Sequence, residues 1–318
     1  MTDTRPPQTV RSLTDLVEVV PTFFGFHPTD SLVLLAVDAG SVALGARVDL
    51  DATGGHATAE AASAVWRRVP GATYLAIAFC ADPDRAWWAL DDVDAALPAG
   101  CARTLVHADD DRWYAHPDDV GTPYDRLGSV HLARAAYEGR PVRCSREELA
   151  RLVEPTRTPA EVTASLERVA DREDTLGDLV AEALALVEGH DAVPGDLDLD
   201  EATILCLASH DPGFLEAALL STTRVNAAAR AGLWAQVVQA SVPNCAGGAL
   251  VALGLAGWVD GNGALGSVCL EALEGRPGPV AWVGMLDAIN RDAVHPDAWA
   301  GIRAGLLADR AAAASGKA

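Results

Sequence analysis

The chain has 318 residues, a length that suits one large domain or two ordinary ones. It carries 24 Lys and Arg residues against 45 Asp and Glu residues, for a formal net charge of −21, and half of its residues are hydrophobic. This composition excludes extensive intrinsic disorder. The negative field also argues against general binding to nucleic-acid backbones or to anionic membranes.

No targeting or membrane-spanning segment is recognisable in the sequence. The first ten residues are polar and lack the basic start and apolar stretch of a secretory signal. The longest apolar run, Ala246–Val259, is shorter than the roughly 20 residues that span a bilayer. The six cysteines are scattered without metal-binding spacing, which predicts reduced thiols. We therefore expect a cytoplasmic protein.

Strand and helix patterns alternate in the first half of the chain. Apolar residues predict two antiparallel strands at 31–37 and 41–50, joined by a tight turn. The strand–helix–strand–helix–strand pattern that continues to residue 107 predicts parallel pairing with right-handed crossovers. We predict a mixed α/β sheet with flanking helices, in a domain of residues 1–154.

Two helices are predicted at the ends of this first half. Leu13–Val20 has an amphipathic pattern, and Pro21 is expected to end that helix because proline disrupts helical hydrogen bonding. Residues 124–138 are predicted to form a helix at the transition to the second half.

The second half, after Glu154, is almost entirely helical in pattern. A capping-box start at Thr158 predicts a helix that runs to about Gly189. Further helices with short connections predict antiparallel hairpins. The order of small and large side chains in 250–277 resembles a tetratricopeptide unit, so we predict an all-α domain of residues 155–318 with hairpins of that type.

Two motifs suggest cofactor or metal binding but have a simpler interpretation. Gly261–Gly266 has the spacing GxGxxG, but the segment before it is helical, which favours a turn between helices over a dinucleotide site. Residues 107–119 contain two histidines and several aspartates, which we interpret as a solvated acidic hairpin rather than a cation site. No hydrolase, P-loop or zinc-protease signature occurs. We predict no cofactor and no metal site.

The strongest candidate site is an aromatic and polar loop directly before the first strand. Binding residues collect on loops that a rigid sheet holds in place, and two charged residues of the second strand lie within reach of this loop. The predicted ligand-binding residues are His27, Asp30, Ser31, Arg47 and Asp49.

A structural role for the same residues is the alternative interpretation. Phe24 and Phe26 would then anchor the loop in the core, and Arg47 would pair with Asp49 or Asp30.

Several stretches of the chain together match the pattern of a known family. These stretches are Leu13-Thr14-Asp15-Leu16, Val20-Pro21, Phe24-Gly25-Phe26, Pro28, Asp30-Ser31-Leu32-Val33, Ala46-Arg47-Val48-Asp49-Leu50, Arg112-Trp113, His116, Gly121-Thr122, Arg143, Ser145-Arg146, Trp258, Gly261 and Gly263-Ala264. Together they resemble an actinobacterial family catalogued as domain of unknown function 4192. The resemblance implies a cytoplasmic bacterial protein and one continuous unit, and it implies no activity.

Two classes of function are compatible with these patterns. The absence of a catalytic signature and the tetratricopeptide-like hairpin favour a non-catalytic interaction or regulatory protein, with a protein partner on its helical half. The alternative is an enzyme or a small-ligand-binding protein. In that case Arg47 would hold a carboxylate or phosphate, and Asp30 or His27 would act as acid or base.

Overall fold

The chain forms two compact units. The computed structural model describes residues 12–50, 56–137, 142–172, 175–292 and 294–315. The division between the units lies between Arg146 and Glu147, a few residues before the sequence becomes entirely helical in pattern. The predicted fold class, a mixed sheet with flanking helices followed by a helical half, is confirmed.

The N-terminal unit is built on a six-stranded sheet in the order β2-β1-β3-β4-β5-β6. Its strands are β1 (Ser31–Asp38), β2 (Ser41–Asp49), β3 (Thr73–Phe79), β4 (Arg103–Ala108), β5 (Arg112–Tyr114) and β6 (Thr122–Pro123). Its helices are α1 (Leu13–Phe24), α2 (His56–Arg68), α3 (Pro83–Ala96) and α4 (Val130–Tyr137), and α5 (Arg146–Ala150) follows at the division.

The strand pairing is mostly antiparallel. The predicted hairpin of β1 and β2 is confirmed, and β1 also pairs antiparallel with β3. Only β3 and β4 pair parallel among the described strands, so the predicted parallel pairing is confirmed for β3 and β4 but is wrong for β2 and β3, which are not paired. The reason is topological: β1 lies between β2 and β3, so α2 connects two strands that are not neighbours.

Both faces of the central strands are buried. Val33 and Leu35 of β1 pack with Val17 and Val20 of α1 on one face. On the other face Leu32 is equally buried, and α2 and α3 also contact strands of this sheet. This covering on both faces explains why β1 is a continuous apolar run rather than an alternating one.

Helix α1 continues past the proline that was expected to end it. Ser12 caps its start by accepting a hydrogen bond from the backbone N–H of Asp15 at 3.1 Å. Pro21 lies buried inside the helix, which ends at Phe24 where Gly25 adopts a left-handed conformation with φ 74°. The buried apolar face of α1 therefore outweighs the hydrogen bond that proline removes.

The C-terminal unit is helical throughout its described length, apart from its connections. Its helices are α6 (Pro159–Ala170), α7 (Leu176–Ala192), α8 (Leu199–Ala208), α9 (Pro212–Ser221), α10 (Ala227–Gln239), α11 (Gly247–Asp260), α12 (Gly263–Leu273), α13 (Val280–Arg291) and α14 (Trp299–Ser315). Helices α10, α11 and α12 pack against one another in sequence, as the predicted hairpins require. Gly261, with φ 100°, forms the turn between α11 and α12, which confirms the helix-turn interpretation of the GxGxxG motif.

Two predicted helices have different limits in the structure. The helix expected from Thr158 to Gly189 is two helices, because a second capping box at Thr175 starts α7. The helix expected at 124–138 begins only at Val130, because the chain before it forms β6 and a turn. Helix α14 was not predicted.

No helix within the described ranges is both long enough and apolar enough to cross a lipid bilayer.

Candidate functional site

The predicted site lies at one edge of the sheet, where β1 begins and β2 and β3 end. Ser31 is paired with Asp49 on one side and with Phe79 on the other. Asp30, just before β1, has φ 43°, in the left-handed region that few non-glycine residues adopt. Its carbonyl oxygen accepts a hydrogen bond from the backbone N–H of Leu50 at 2.7 Å, which fixes the chain at this edge.

Arg47 forms a group with Asp49 and Phe26 on the face that α1 covers. It lies opposite Val33 of the core, and its side chain is 13% exposed. Its Nη2 donates a hydrogen bond to Asp49 Oδ1 at 2.5 Å, and its guanidinium carbon lies 5.3 Å from the centre of the Phe26 ring. Arg47 Nε is buried and has no hydrogen-bond partner among the described residues. Of the two predicted pairings of Arg47, the structure has the one with Asp49.

Ser31 lies on the same face as Arg47 because it is two residues before Val33. Its side chain is completely buried, and its hydroxyl has no hydrogen-bond partner within the described part of the chain. A buried polar group of this kind costs stability unless water or a ligand satisfies it.

Asp30 belongs to a second group, with Arg85 and Cys80. Arg85 in the first turn of α3 donates a hydrogen bond to Asp30 Oδ1, and the Cys80 thiol donates to the same oxygen at 3.5 Å. Burial raises the pKa of Cys80, so the thiol is protonated at neutral pH and acts as a donor. Arg85 Nε, like Arg47 Nε, is buried without a partner in the described ranges.

The sequence prediction missed Arg85 and Cys80. Both follow the carboxyl end of β3, next to its only parallel neighbour among the described strands, β4. Ligands of α/β proteins bind outside the carboxyl ends of parallel strands. Applied to the connection between β3 and α3, this rule would have predicted Arg85 and Cys80 as site residues.

His27 lies apart from both arginine groups. It is buried, and its backbone N–H donates a hydrogen bond to the carbonyl of Arg143 at 3.0 Å. It borders a cavity of about 10 Å³, together with Glu18, Tyr124 and Arg126. A cavity of this size holds one water molecule rather than a substrate. Burial, and then the charge of Arg126, lowers the pKa of His27, so its imidazole is neutral at neutral pH.

The segment 107–119 does not bring its two histidines together. His107 is buried, stacks on Tyr114 with ring centres 5.0 Å apart, and its Nε2 is 2.8 Å from the Cys80 carbonyl oxygen. His116 is 70% exposed and lies 3.9 Å from Asp118. The interpretation as a solvated hairpin therefore fits His116 but is wrong for His107.

Asp109 stabilises the turn of this hairpin. Burial raises the pKa of its carboxyl, but hydrogen bonds from the backbone N–H groups of Asp111 and Arg112 and from the Tyr114 hydroxyl outweigh that effect and lower the pKa.

A different set of side chains has the composition of a metal site. Asp15 and Glu18 of α1 and His131 of α4 each offer one ligand atom, and these three atoms lie within 4.8 Å of one another. The sequence prediction of no metal site did not consider them, because His131 is more than a hundred residues from Glu18 in the chain.

Comparison with known proteins identifies the family. The family model described as Domain of unknown function (DUF4192) matches residues 14–297, which is most of the chain. The chain belongs to this family. The match contains both arginine groups and the Asp15, Glu18 and His131 set of this DUF4192 protein. No curated protein and no solved structure is significantly similar to the DUF4192 chain.

Proposed function

We propose that the N-terminal unit binds a small anionic ligand, a carboxylate or phosphate compound, at the Arg47 edge of the sheet. The observation that carries the proposal is the incomplete hydrogen bonding of two arginines at this edge. Arg47 and Arg85 each pair with an aspartate whose side chain is 68% exposed. Each also has a buried Nε without a partner among the described residues. Both guanidinium groups therefore retain hydrogen-bond donors that an anion can use.

In this proposal the carboxylate of Asp49 occupies the place of the ligand on Arg47. An incoming carboxylate or phosphate displaces Asp49 into solvent and takes both edge donors of the guanidinium, Nε and Nη2. The buried ring of Phe26, whose centre lies 5.3 Å from the guanidinium carbon, stabilises the charge of Arg47 through a cation–π interaction. The Ser31 hydroxyl on the same face supplies a further donor.

Binding rather than catalysis is the role that these groups favour. Asp30 is bonded to Arg85 and Cys80, and His27 borders a separate small cavity whose lining does not include Arg47. Neither candidate acid or base is therefore bonded to Arg47, on which the ligand is placed in this proposal. We infer a ligand-binding or regulatory protein.

A thermal-shift screen of the full chain tests the proposal. Phosphate, di- and tricarboxylates and nucleoside monophosphates are added at low ionic strength, because salt screens the attraction between an arginine and an anion. A ligand at about 100 times its Kd stabilises the folded state by about 2.7 kcal/mol. We expect at least one class to raise the melting temperature of the wild type.

Variants then assign the effect to the site. Arg47→Lys keeps the positive charge but loses the two-point hydrogen bonding of the guanidinium, and Arg47→Gln loses both. We therefore expect the ligand-induced rise in melting temperature to be smaller in Arg47→Lys than in the wild type, and smallest in Arg47→Gln. Asp49→Asn removes the competing carboxylate and strengthens binding. Arg67→Ala, at an exposed arginine of α2, is the matched control and leaves the shift unchanged. An equal shift in wild type and in a folded Arg47→Gln protein contradicts the proposal, as does the absence of any shift.

We propose a partner-binding role for the C-terminal unit as a second function, on the basis of a groove beside α7 and α8. The groove has a volume of about 330 Å³. It combines apolar side chains with an acidic rim, which suits a short amphipathic segment that carries Lys or Arg residues between apolar anchors. The apolar lining includes Ala185, Leu186, Val193 and Leu197, and the acidic lining includes Glu182, Asp196 and Glu201.

Fluorescence anisotropy with two labelled peptides tests this second role. One peptide is basic and amphipathic, and the other has the same apolar residues with Glu in place of Lys. We expect the full chain to bind the basic peptide only, and Val193→Asp to weaken binding because Val193 is an apolar lining residue and 77% exposed. Val280→Asp, at a valine that is 85% exposed on α13, is the control. Equal binding of both peptides, or of neither, contradicts the role.

A further inference from the structure

We propose that Asp15, Glu18 and His131 bind one divalent transition-metal ion of the zinc class. This site is independent of the proposed anion site, since the two share no residue. The donor set is one imidazole nitrogen and two carboxylates, whose ligand atoms lie within 4.8 Å of one another. Imidazole favours zinc, copper, iron and nickel, whereas magnesium and calcium prefer sites made only of oxygen ligands.

The imidazole of His131 is the observation that points to a ligand. The residue is 9% exposed, and its Nε2 is buried without a hydrogen-bond partner among the described residues. Asp15 Oδ1 is 4.0 Å from Nε2, which is too long for a hydrogen bond. A metal ion bound between the two groups gives the nitrogen lone pair of His131 a partner.

The helix geometry of α1 places the two carboxylates side by side. Asp15 and Glu18 are three residues apart, so they lie on one face of the helix, and α4 packs against α1 with His131 in its first turn. A metal ion holds ligands at about 2.0–2.2 Å, and so about 3–4 Å from one another. The site therefore has to contract by about 1 Å to coordinate the ion.

Hydrogen bonds outside the ligand set hold the groups in position. Glu18 Oε1 accepts a hydrogen bond from the backbone N–H of Asp125 at 3.1 Å, which leaves Oε2 for the metal. Trp113 Nε1 donates to Thr14 Oγ1 at 3.0 Å, which fixes the first turn of α1 against β5. Such supporting bonds orient the ligands of known metal sites.

The charges of the site match a divalent cation. Two carboxylates balance an ion of charge +2, and His131 contributes a neutral imidazole. Arg126 borders the cavity next to Glu18, but its guanidinium donates a hydrogen bond to Asp110. Three protein ligands leave at least one coordination position for water or a small ligand, as in catalytic zinc sites, whereas structural sites have four.

Calorimetric titration of the chelator-treated full chain with Zn²⁺ tests the site. We expect one equivalent to bind, with the affinity reduced at least about tenfold in His131→Gln and in Glu18→Gln, in line with loss of a ligand. His116→Gln is the matched control, because His116 is an exposed histidine 3.9 Å from a carboxylate, and its variant binds as the wild type does. Uptake of no zinc, or equal uptake in His131→Gln, overturns the proposal. Preference for Mg²⁺ over Zn²⁺ also overturns it.

Two further measurements distinguish metal binding at this site from a loss of folding in the variants and from metal binding by the cysteines. Circular dichroism and thermal unfolding in chelator show whether each variant is folded, and Glu18→Gln keeps an oxygen for the Asp125 N–H. Zinc is expected to raise the melting temperature of the wild type but not of a folded Glu18→Gln protein.

Cobalt(II) bound at this site gives a spectrum without thiolate charge-transfer bands. Intense bands of that kind place the ion on cysteine and refute the site.

Discussion

Arg230 forms a two-point ion pair with Asp191 in the interior of the C-terminal unit. Arg230 on α10 has a side chain that is 2% exposed, and its Nε and Nη2 donate to the two carboxylate oxygens of Asp191 on α7 at 2.5 and 2.7 Å. Asn226 also donates to Asp191, at 2.9 Å. The pair joins two helices that are far apart in the chain, and it places the permanent charge of Arg230 in the protein interior.

Removal of Asp191 alone is predicted to destabilise the protein strongly. In Asp191→Ala the Arg230 guanidinium stays buried without a counter-charge, and breaking a buried pair in this way costs about 3–5 kcal/mol. The measurement is chemical denaturation monitored by far-UV circular dichroism. The paired variant Asp191→Leu with Arg230→Met removes both charges, and we expect it to recover most of the lost stability. A double variant less stable than Asp191→Ala contradicts this account.

Glycines of α11 are predicted to be essential where the helix meets another backbone. A Cβ atom added at Gly248 would lie 2.5 Å from the carbonyl oxygen of Ser209, and one at Gly247 would lie 2.2 Å from that of Pro277. Backbone atoms cannot move aside as a flexible side chain can, so we expect Gly248→Ala to cost about 1–3 kcal/mol.

Gly284 is the matched control for this substitution. It lies on an exposed face of α13, and an added Cβ meets nothing within 4 Å. Gly284→Ala is therefore expected to stabilise the protein by about 0.5–1 kcal/mol, through helix propensity alone. Thermal and denaturant unfolding measure both variants. Similar effects of the two substitutions would show that close packing at Gly248 is not the cause.

Local sequence patterns predicted the helices and strands of this fold well, but they did not predict which strands lie next to each other in the sheet. The hairpin of β1 and β2 follows from a tight turn between two apolar runs, and the capping box at Thr158 is present in the structure. The insertion of β1 between β2 and β3 follows from no local signal. Pro21 was misjudged because the burial of α1 against the sheet is a tertiary effect.

The candidate site shows the same limit. The pair of Arg47 and Asp49 is visible from their spacing in one strand. Asp30 and Ser31 are adjacent in sequence, but Asp30 bonds to Arg85 on α3 while Ser31 faces the side that α1 covers. The contacts of Asp30 and of His131 with distant helices depend on packing, which no sequence spacing encodes.

Thiol labelling is predicted to follow burial. Cys144 is exposed, whereas burial raises the pKa of Cys206 to about 11 and also raises that of Cys269. Since the thiolate is the reactive form, we expect native protein to be alkylated first at Cys144 and at least about tenfold more slowly at the two buried thiols. Peptide mass spectrometry over time measures the order, and Cys144→Ser removes the fast phase. Rapid native labelling of Cys269 would contradict the packing of α11 against α12.

The stability of the N-terminal unit is predicted to decrease in mild acid because of His27. Burial, and then the charge of Arg126, lowers the pKa of His27 below 6.5, whereas the unfolded chain keeps a value near 6.5. Below pH 6.5 the unfolded state therefore binds more protons than the folded state. The stability contribution of neutral His27 is complete above this pH and is lost as the pH falls towards the lower folded pKa.

Urea unfolding at pH 7.5, 6.5 and 5.5 measures this effect. For one proton the free energy of unfolding changes by at most about 1.4 kcal/mol per pH unit. We expect His27→Gln to reduce the pH dependence in this range, because glutamine does not titrate, even if the variant is less stable at pH 7.5. His116→Gln is the control, since His116 is 70% exposed, and it should keep the wild-type slope. An unchanged slope in His27→Gln would mean that another group carries the acid sensitivity.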